Sequence, residues 1–320
     1  MTEVLMKSRQ KRNTHFQINS ADRALDLGKG AAIMGILNTT PDSFHDGGVL
    51  QDDCGGIDLD RAVDQALAMV RDGAAIIDIG GESSRPGADK ISATEEIQRT
   101  VPLIARLRKL SNVMISVDTY KAEVAEQALK AGADIVNDIS GFTFDPALPL
   151  ICKKYKAAVV LMHTPVIPEL MQWSMGTNSG KDDIITRVSN FLASSIAIAE
   201  QHSVHNIIID PGFGFGKSIA ENFRLLGHLG SFLQLERPIL AGVSRKSFLG
   251  YAITPHGKET LPPAERFAAT LAAETVALMQ GASIVRVHDV LEAVQSMKIV
   301  ENIRALSPSN SHHSDVSFKN

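Results

Sequence analysis

Short runs of aliphatic and β-branched residues alternate with longer helical patterns along nearly the whole chain, and this alternation limits the folds open to it. The runs are AAIMGILN (31–38), AAIIDIG (74–80), VMISVD (113–118), DIVND (134–138), AAVVLMH (157–163), NIIID (206–210), PILAGVS (238–244) and SIVRVH (283–288). Between them stand stretches such as DLDRAVDQALAMVRDG, TEEIQRTVPLIARLRKL, KAEVAEQALKAG and PAERFAATLAAETVALMQG, which read as helices. Strands so uniformly apolar are buried on both faces, as parallel strands between helices are. Gly73, Gly132 and Gly281 each follow a helical stretch and precede a strand, the position of a helix C-cap. Eight strand–helix units between residues 31 and 305 predict an α/β fold of the (β/α)8 barrel type in a single domain, since such barrels run to ~200–250 residues as one unit. A doubly wound open sheet is the rival, and it usually has fewer strands. The opening HFQINSADRALDLGKG reads as a polar hairpin covering the barrel bottom. The expected boundaries are a flexible N-terminus (1–13), the barrel (14–306) and a disordered tail (307–320), in which His312 and His313 read as a solvated pair.

Bulk properties exclude several classes. A formal net charge of −4 argues against nucleic acid as the partner, which calls for a basic surplus. The two cysteines, Cys54 and Cys152, have no metal-ligand spacing around them, which fits a reducing compartment and no zinc site. MTEVLMKSRQKRNTH is basic but lacks the apolar core of a signal peptide, and no run reaches the ~18 apolar residues of a membrane span. The expectation is a cytoplasmic protein acting on small molecules, with neither nucleic acid nor membrane as partner.

DPGFGFGKS, residues 210–218, resembles a phosphate loop on first reading. A nucleotide cradle requires G-x-x-x-x-G-K-[ST], so its first glycine would stand at 211, where this chain has Pro211 without an N–H. The dinucleotide turn requires G-x-G-x-x-G, whereas Gly212, Gly214 and Gly216 give G-x-G-x-G behind an aspartate. Neither phosphate reading fits.

Every apolar run ends in polar residues: Asn38, Asp78, Asp118, Asn137 with Asp138, His163, Asp210, Ser244 with Lys246, and Arg286 with His288. In barrels the C-terminal ends of the strands build the active site. A ring of buried charge is costly unless a ligand or a partner satisfies it, which favours a shared site over eight unrelated strand ends. Asp118 and Asp210 suit a ring bearing amino and amide donors, and the Asn137 carboxamide, which both donates and accepts, suits a pyrimidinone edge. On the other side, Lys246, Arg286 and His288 form a cationic group for a phosphate or diphosphate. Asn38 offers a neutral oxygen to a Mg²⁺ that keeps its waters and takes negative ligands from phosphates. The long loops TTPDSFHDGGVLQDDCGG and GESSRPGADKISA have the composition of segments that close over a reaction.

MGILNTTPDSFHDGG, DIGGESSRPGA, SVDTYKAEVAEQALKAGADIVNDISGF, DPGFGFGKS, AGVSRKSFLG and VRVHDV, in that order from about residue 31 to about 305, resemble the dihydropteroate synthase family. The resemblance implies a (β/α)8 transferase that joins 4-aminobenzoate to 6-hydroxymethyl-7,8-dihydropterin diphosphate and releases pyrophosphate in folate synthesis, with Mg²⁺ as cofactor. Carried over by motif, Asp118, Asn137, Asp210 and Lys246 hold the pterin, with Ser84 and Val287 also in the pterin diphosphate site. Asn38 binds Mg²⁺, and Arg286 and His288 hold the diphosphate. Asp118, Asp210, Lys246, Arg286 and His288 form the catalytic set. Phe44, Ser84, Arg85, Pro86, Phe215 and Ser244 shape the aminobenzoate site, which sulfonamides mimic. Family members commonly dimerise, and the small and apolar residues of ERFAATLAAETVALMQ (265–280) suit a subunit contact.

The chain departs from the family pattern in three places. Ser84 stands where threonine is usual, His45 replaces a small residue, and HTPVIPELMQWSMGTNSGKDD lacks the glycine usual after strand five, which leaves His163 without an assigned role. Two alternatives stand beside the synthase reading. A non-catalytic pterin-binding member would be expected to lose Asn38, Lys246, Arg286 or His288, all of which are present. A methyltetrahydrofolate-dependent methyltransferase would not need the TPDSF and SRPG loops.

Overall fold

A computed structural model describes residues 16–28, 30–40, 58–83, 90–165, 183–255, 258 and 260–306. Eight parallel strands form the core sheet: β3 (Ala32–Asn38), β4 (Ile76–Gly80), β5 (Met114–Asp118), β6 (Ile135–Asp138), β7 (Ala158–Met162), β8 (Ile207–Asp210), β9 (Leu240–Ala241) and β10 (Ile284–Val287). They pair in the order β8-β7-β6-β5-β4-β3-β10-β9, and a parallel bridge between Ile209 and Ile239 brings the two edges together. The result is a nearly closed (β/α)8 barrel in one domain. The seam is the thinnest part. The apolar run 238–244 pairs with β10 at Leu240 and Ala241, its Ile239 carbonyl accepts from the Ser283 and Ile284 amides, and its Pro238 carbonyl accepts from Ile209 at 3.0 Å on the other side.

The helices between the strands are α1 (Leu59–Arg71), α2 (Ala93–Leu110), α3 (Ala122–Ala131), α4 (Leu148–Tyr155), α5 (Ile184–Gln201), α6 (Ile219–Gly227), α7 (Ser247–Ile253), α8 (Phe267–Met279) and α9 (Val290–Ala305). Their starts are fixed by side-chain caps where the chain supplies them. Asp58 accepts from Arg61 N–H at 3.0 Å, Ser92 accepts from Glu95 N–H at 3.1 Å, and Ser218 with Glu221 forms a reciprocal capping box. The glycines after α1, α3 and α8 take left-handed φ values of 107°, 111° and 102°.

Strand parity separates two cores. Outward residues such as Ile77, Ile79, Ile115, Val117, Val136 and Val287 pack under the helices, while Met34, Ile76, Met114, Ile135, Val160, Ile208 and Ile284 fill the lower barrel interior. The N-terminal hairpin, β1 (Gln17–Asn19) and β2 (Ala24–Asp26), plugs that lower end by adding Ile18 and Leu27 to the interior cluster.

Asp134, just before β6, locks the plug in place. It is 2% exposed and accepts from Ser20 Oγ (2.8 Å), Arg23 Nη1 (3.1 Å), Arg108 Nη2 (2.5 Å) and Ile115 N–H (3.0 Å). Asp134→Ala leaves a partly buried Arg108 guanidinium and a buried amide without this acceptor. Thermal unfolding should show a loss of about 3–5 kcal/mol, or roughly 4–7 °C in Tm for a chain of this length. A loss below about 1 kcal/mol would show that the hairpin is not held this way.

Candidate active site

The upper barrel interior replaces aliphatic side chains by charged ones. With a period of two, Asn38, Asp78, Gly80, Ser116, Asp118, Asn137, Asp210 and Arg286 share the inward face with the aliphatic layers below them. Above this layer a cavity of about 400 Å³ opens, lined among others by Asn38, Glu82, Asp118, Phe215, Ser244, Lys246, Arg286 and His288.

Arg286 binds the carboxylates together. Its Nε donates to Asp78 Oδ2 at 2.6 Å and its Nη2 to Asp118 Oδ2 at 2.8 Å, while Asn137 Nδ2 donates to the same Asp78 oxygen at 3.0 Å. Burial works against the guanidinium charge, but Asp78 and Asp118 outweigh it and hold the group protonated. Burial also pushes the Asp118 carboxyl up to about 7, against the pull of Arg286 and with help from the Asp78 charge. Asp210 is raised by burial as well, with Lys246 and the Gly212 N–H (2.7 Å to Oδ1) opposing the shift. Lys246 is lowered by burial to about 8, with Asp210 resisting the shift. Arg286, expected beside Lys246 and His288, is bonded to Asp78 and Asp118, because eight strands closing round one axis bring its side chain to both carboxylates.

The glycine-rich loop has a structural reason for its composition. Gly212, Gly214 and Gly216 have φ values of 71°, 80° and 56°, and a Cβ at Gly212 would lie 2.0 Å from the His163 carbonyl oxygen. Lys217 points beneath the loop, fully buried, and donates to the carbonyls of Gly212 (2.6 Å), Phe215 (3.1 Å) and His163 (3.2 Å). The lysine that imitates a phosphate motif thus holds its own loop together. Phe215 carries the Lys246 ammonium 4.4 Å from its ring centroid, and Lys246 also donates to the Phe213 carbonyl.

Other predicted residues fall as follows. Ser244 Oγ lies 2.9 Å from His288 Nδ1, so these two side chains form one unit at the cavity wall. Gly80 sits between Asn38 and Asp118, and a Cβ there would come within 3.4 Å of Asn38 Oδ1 and 3.5 Å of Asp118 Cβ. The Val287 side chain belongs to the outer core, not to the cavity. Asp138 faces outward too, accepting from the Ser140 (2.7 Å) and Phe142 (2.6 Å) amides. His163 packs edge-on against Phe191 and is held neutral by burial. Phe44, Ser84, Arg85 and Pro86, together with His45, lie outside the described residues.

Two participants had no role assigned from the sequence. Asp78 is the acceptor shared by Arg286 and Asn137, and its position two residues before Gly80 on one strand was the available signal. Glu82 lines the cavity and is held by Lys121 (2.7 Å) and Tyr120 (2.8 Å), while Lys121 also reaches the Ile91 carbonyl (2.9 Å). Both flanks of the Ser84–Arg85–Pro86 stretch are thereby tied to one ammonium.

With this geometry in place, comparison with known proteins is decisive. The family described as pterin binding enzyme matches residues 34–288. The chain belongs to the dihydropteroate synthase family of pterin-binding enzymes. A dihydropteroate synthase from Synechocystis is 44% identical over 278 residues, covering 86% of this chain and 91% of that protein. The Yersinia pestis dihydropteroate synthase, crystallised as a sulfonamide drug complex, superposes with a TM-score of 0.82 at 38% identity, covering 91% of this chain and 100% of that one. The Xanthomonas albilineans dihydropteroate synthase with 4-aminobenzoic acid gives 0.79 at 37% identity, covering 91% and 99%.

Asp78→Asn removes one of the charges that raise Asp118. Carboxyl-carbon NMR should show Asp118 titrating near 7 in the parent protein and clearly lower in the variant. An unchanged or higher midpoint would mean that the Asp78 charge does not act on Asp118.

Proposed function

We propose that this dihydropteroate synthase recognises the pterin ring with Asp118, Asn137, Asp210 and Lys246, and turns the diphosphate towards Arg286 and His288. The observation that carries this reading is the Asp78–Arg286–Asp118 arrangement under an open cavity, flanked by Asp210 and Lys246. Buried carboxylates suit the amino and amide donors of a pterin, and Asn137, oriented by Asp78, can meet the carbonyl-bearing edge. The 4-aminobenzoic acid carried by the Xanthomonas structure supports the same second substrate here, against the Phe215 ring.

Reaction joins the pterin methylene to the aminobenzoate nitrogen. The aromatic amine is neutral at pH 7 and attacks without prior deprotonation. The C–O bond breaks with its electron pair going to pyrophosphate, the C–N bond forms, and the extra amine proton leaves to solvent. Asp118 and Asp210 stabilise positive charge developing on the pterin, while Arg286 and His288 stabilise the departing charge, so the transition state is dissociative and cation-like. The Asn38 oxygen, with Gly80 leaving space beside it, suits a Mg²⁺ that draws its other ligands from waters and the diphosphate. When bound, that ion neutralises phosphate charge.

A cytoplasmic homodimer completes the reading. No helix among the described residues is long and apolar enough to cross a membrane. Val276 and Met279 on α8, with Ile299 and Ile303 on α9, are apolar side chains between 41% and 61% exposed, which supports a subunit contact on these packed helices.

The purified protein should release pyrophosphate only when both substrates and Mg²⁺ are supplied. Binding of pterin without turnover would favour the non-catalytic alternative. Arg286→Ala should lower kcat by about 10²–10³-fold, in the range for loss of one transition-state donor. A change confined to the KM of the diphosphate would remove Arg286 from the catalytic set.

A further inference from the structure

Asn222, on α6, is fully buried and has no part in the proposed chemistry, yet both polar atoms of its side chain are bonded. Its Oδ1 accepts from the Gly214 N–H at 2.6 Å, and its Nδ2 donates to the Ser218 and Lys217 carbonyls at 2.8 and 3.2 Å. A reversed amide would set Nδ2 against the Gly214 N–H and the oxygen against two carbonyls, so these partners fix its orientation. The Gly214 N–H belongs to the same peptide unit as the Phe213 carbonyl, which accepts from the Lys246 amino group. In a planar trans peptide the N–H and the C=O point in opposite directions. Asn222 and Lys246 therefore grip one peptide from its two sides.

The lysine lies along this stretch of chain. A Cβ on Gly214 would stand 2.9 Å from Lys246 Cδ, and the amino group sits 4.4 Å from the Phe215 ring centroid, at the cavity wall. Gly214 has a φ of 80° and no Cβ, so the glycine itself tolerates either orientation of the peptide before it. Turned over, that peptide would aim its N–H at the Lys246 amino group, donor against donor, and its carbonyl at the Asn222 oxygen. We propose that Asn222 is a positioning residue for Lys246: by holding the Gly214 N–H it keeps the Phe213 carbonyl aimed at the lysine, and so sets where the amino group stands in the cavity. It does this without touching a ligand.

The consequence for substrate rests on the reading of Lys246 as a pterin ligand, and two readouts separate the claims. Nitrogen-15 NMR of the free protein reads the shared peptide directly. Lys246→Ala, which leaves Asn222 in place, should shift the Gly214 nitrogen, because that resonance follows the hydrogen bond at the preceding carbonyl. Asn222→Leu should expose the Gly214 amide to hydrogen exchange and shift the Lys246 Nζ resonance. A Gly214 nitrogen unmoved by the first change, or a Lys246 resonance unmoved by the second, would overturn the proposal. Should the leucine variant fold poorly, Asn222→Asp keeps the oxygen facing Gly214 and loses both donors. Lys246 should then stay in place, and its displacement with the Gly214 amide still protected would equally overturn the proposal. Affinity for 6-hydroxymethyl-7,8-dihydropterin should fall about tenfold in Asn222→Leu, the size of one misplaced bond to a charged group. The same change made in Lys246→Ala should cost less than about twofold. An equal fall in both backgrounds would show that Asn222 acts through the fold and not through the lysine. A shifted Lys246 resonance with unaltered pterin affinity would uphold the positioning and remove Lys246 from the pterin site.

Discussion

A guanidinium shared between two carboxylates is the interaction on which the upper half of this barrel depends. Asp78, Asp118 and Asp210 enter a water-poor interior from three strands, and uncompensated they would oppose closure by their desolvation and mutual repulsion. Arg286 enters from β10, which pairs directly with β3 beside β4, and it engages Asp78 and Asp118 at 2.6 and 2.8 Å. The pairing permits burial without cancelling reactivity. Burial pushes the Asp118 carboxyl up to about 7, raises Asp210 and lowers Lys246 to about 8.

Two buried or nearly buried lysines fasten the described chain beside this ring. Lys217 ties the glycine-rich loop to the end of β7 through three carbonyls, and Lys121 ties both flanks of the Ser84–Arg85–Pro86 stretch to Glu82 and Glu96. Both are buried or nearly buried amino groups used as fasteners, and burial pushes the Lys217 amino group well below its ordinary pKa. At the opposite end Asp134 performs the complementary task, an anion gathering donors from the hairpin and from α2. The loops at the mouth and the hairpin at the base are therefore held by the same device, a buried polar group with several hydrogen bonds.

Much of this was legible in the chain itself, for physical reasons that particular residues illustrate. Eight apolar runs separated by capped helices can bury their strands on both faces only by closing or stacking between helix layers, and the glycines at 73, 132 and 281 marked where the helices stop. The polar strand ends announced the site. What the ring of strand ends could not assign was direction: Asn137 and Asp138 are neighbours, yet parity sends the first inward and the second to the outer side. Lys217 was misleading for a similar reason, since its motif does not reveal that the loop's glycines fold the chain over the ammonium. Asp78 stood in the DIGGESSRPGA stretch without a role of its own, and its importance comes from a partner 208 positions away, Arg286, which only the closed barrel brings near.

Burial raises both Asp118 and Asp210, and a pterin ring placed on them would favour their ionised forms. Calorimetry of 6-hydroxymethyl-7,8-dihydropterin binding, repeated at pH 7 in buffers of differing ionisation enthalpy, measures the protons exchanged. Since the ring's amino and amide donors favour ionised Asp118 and Asp210, binding should release protons. No exchange, or net uptake, would show that Asp118 and Asp210 do not give up protons to the pterin.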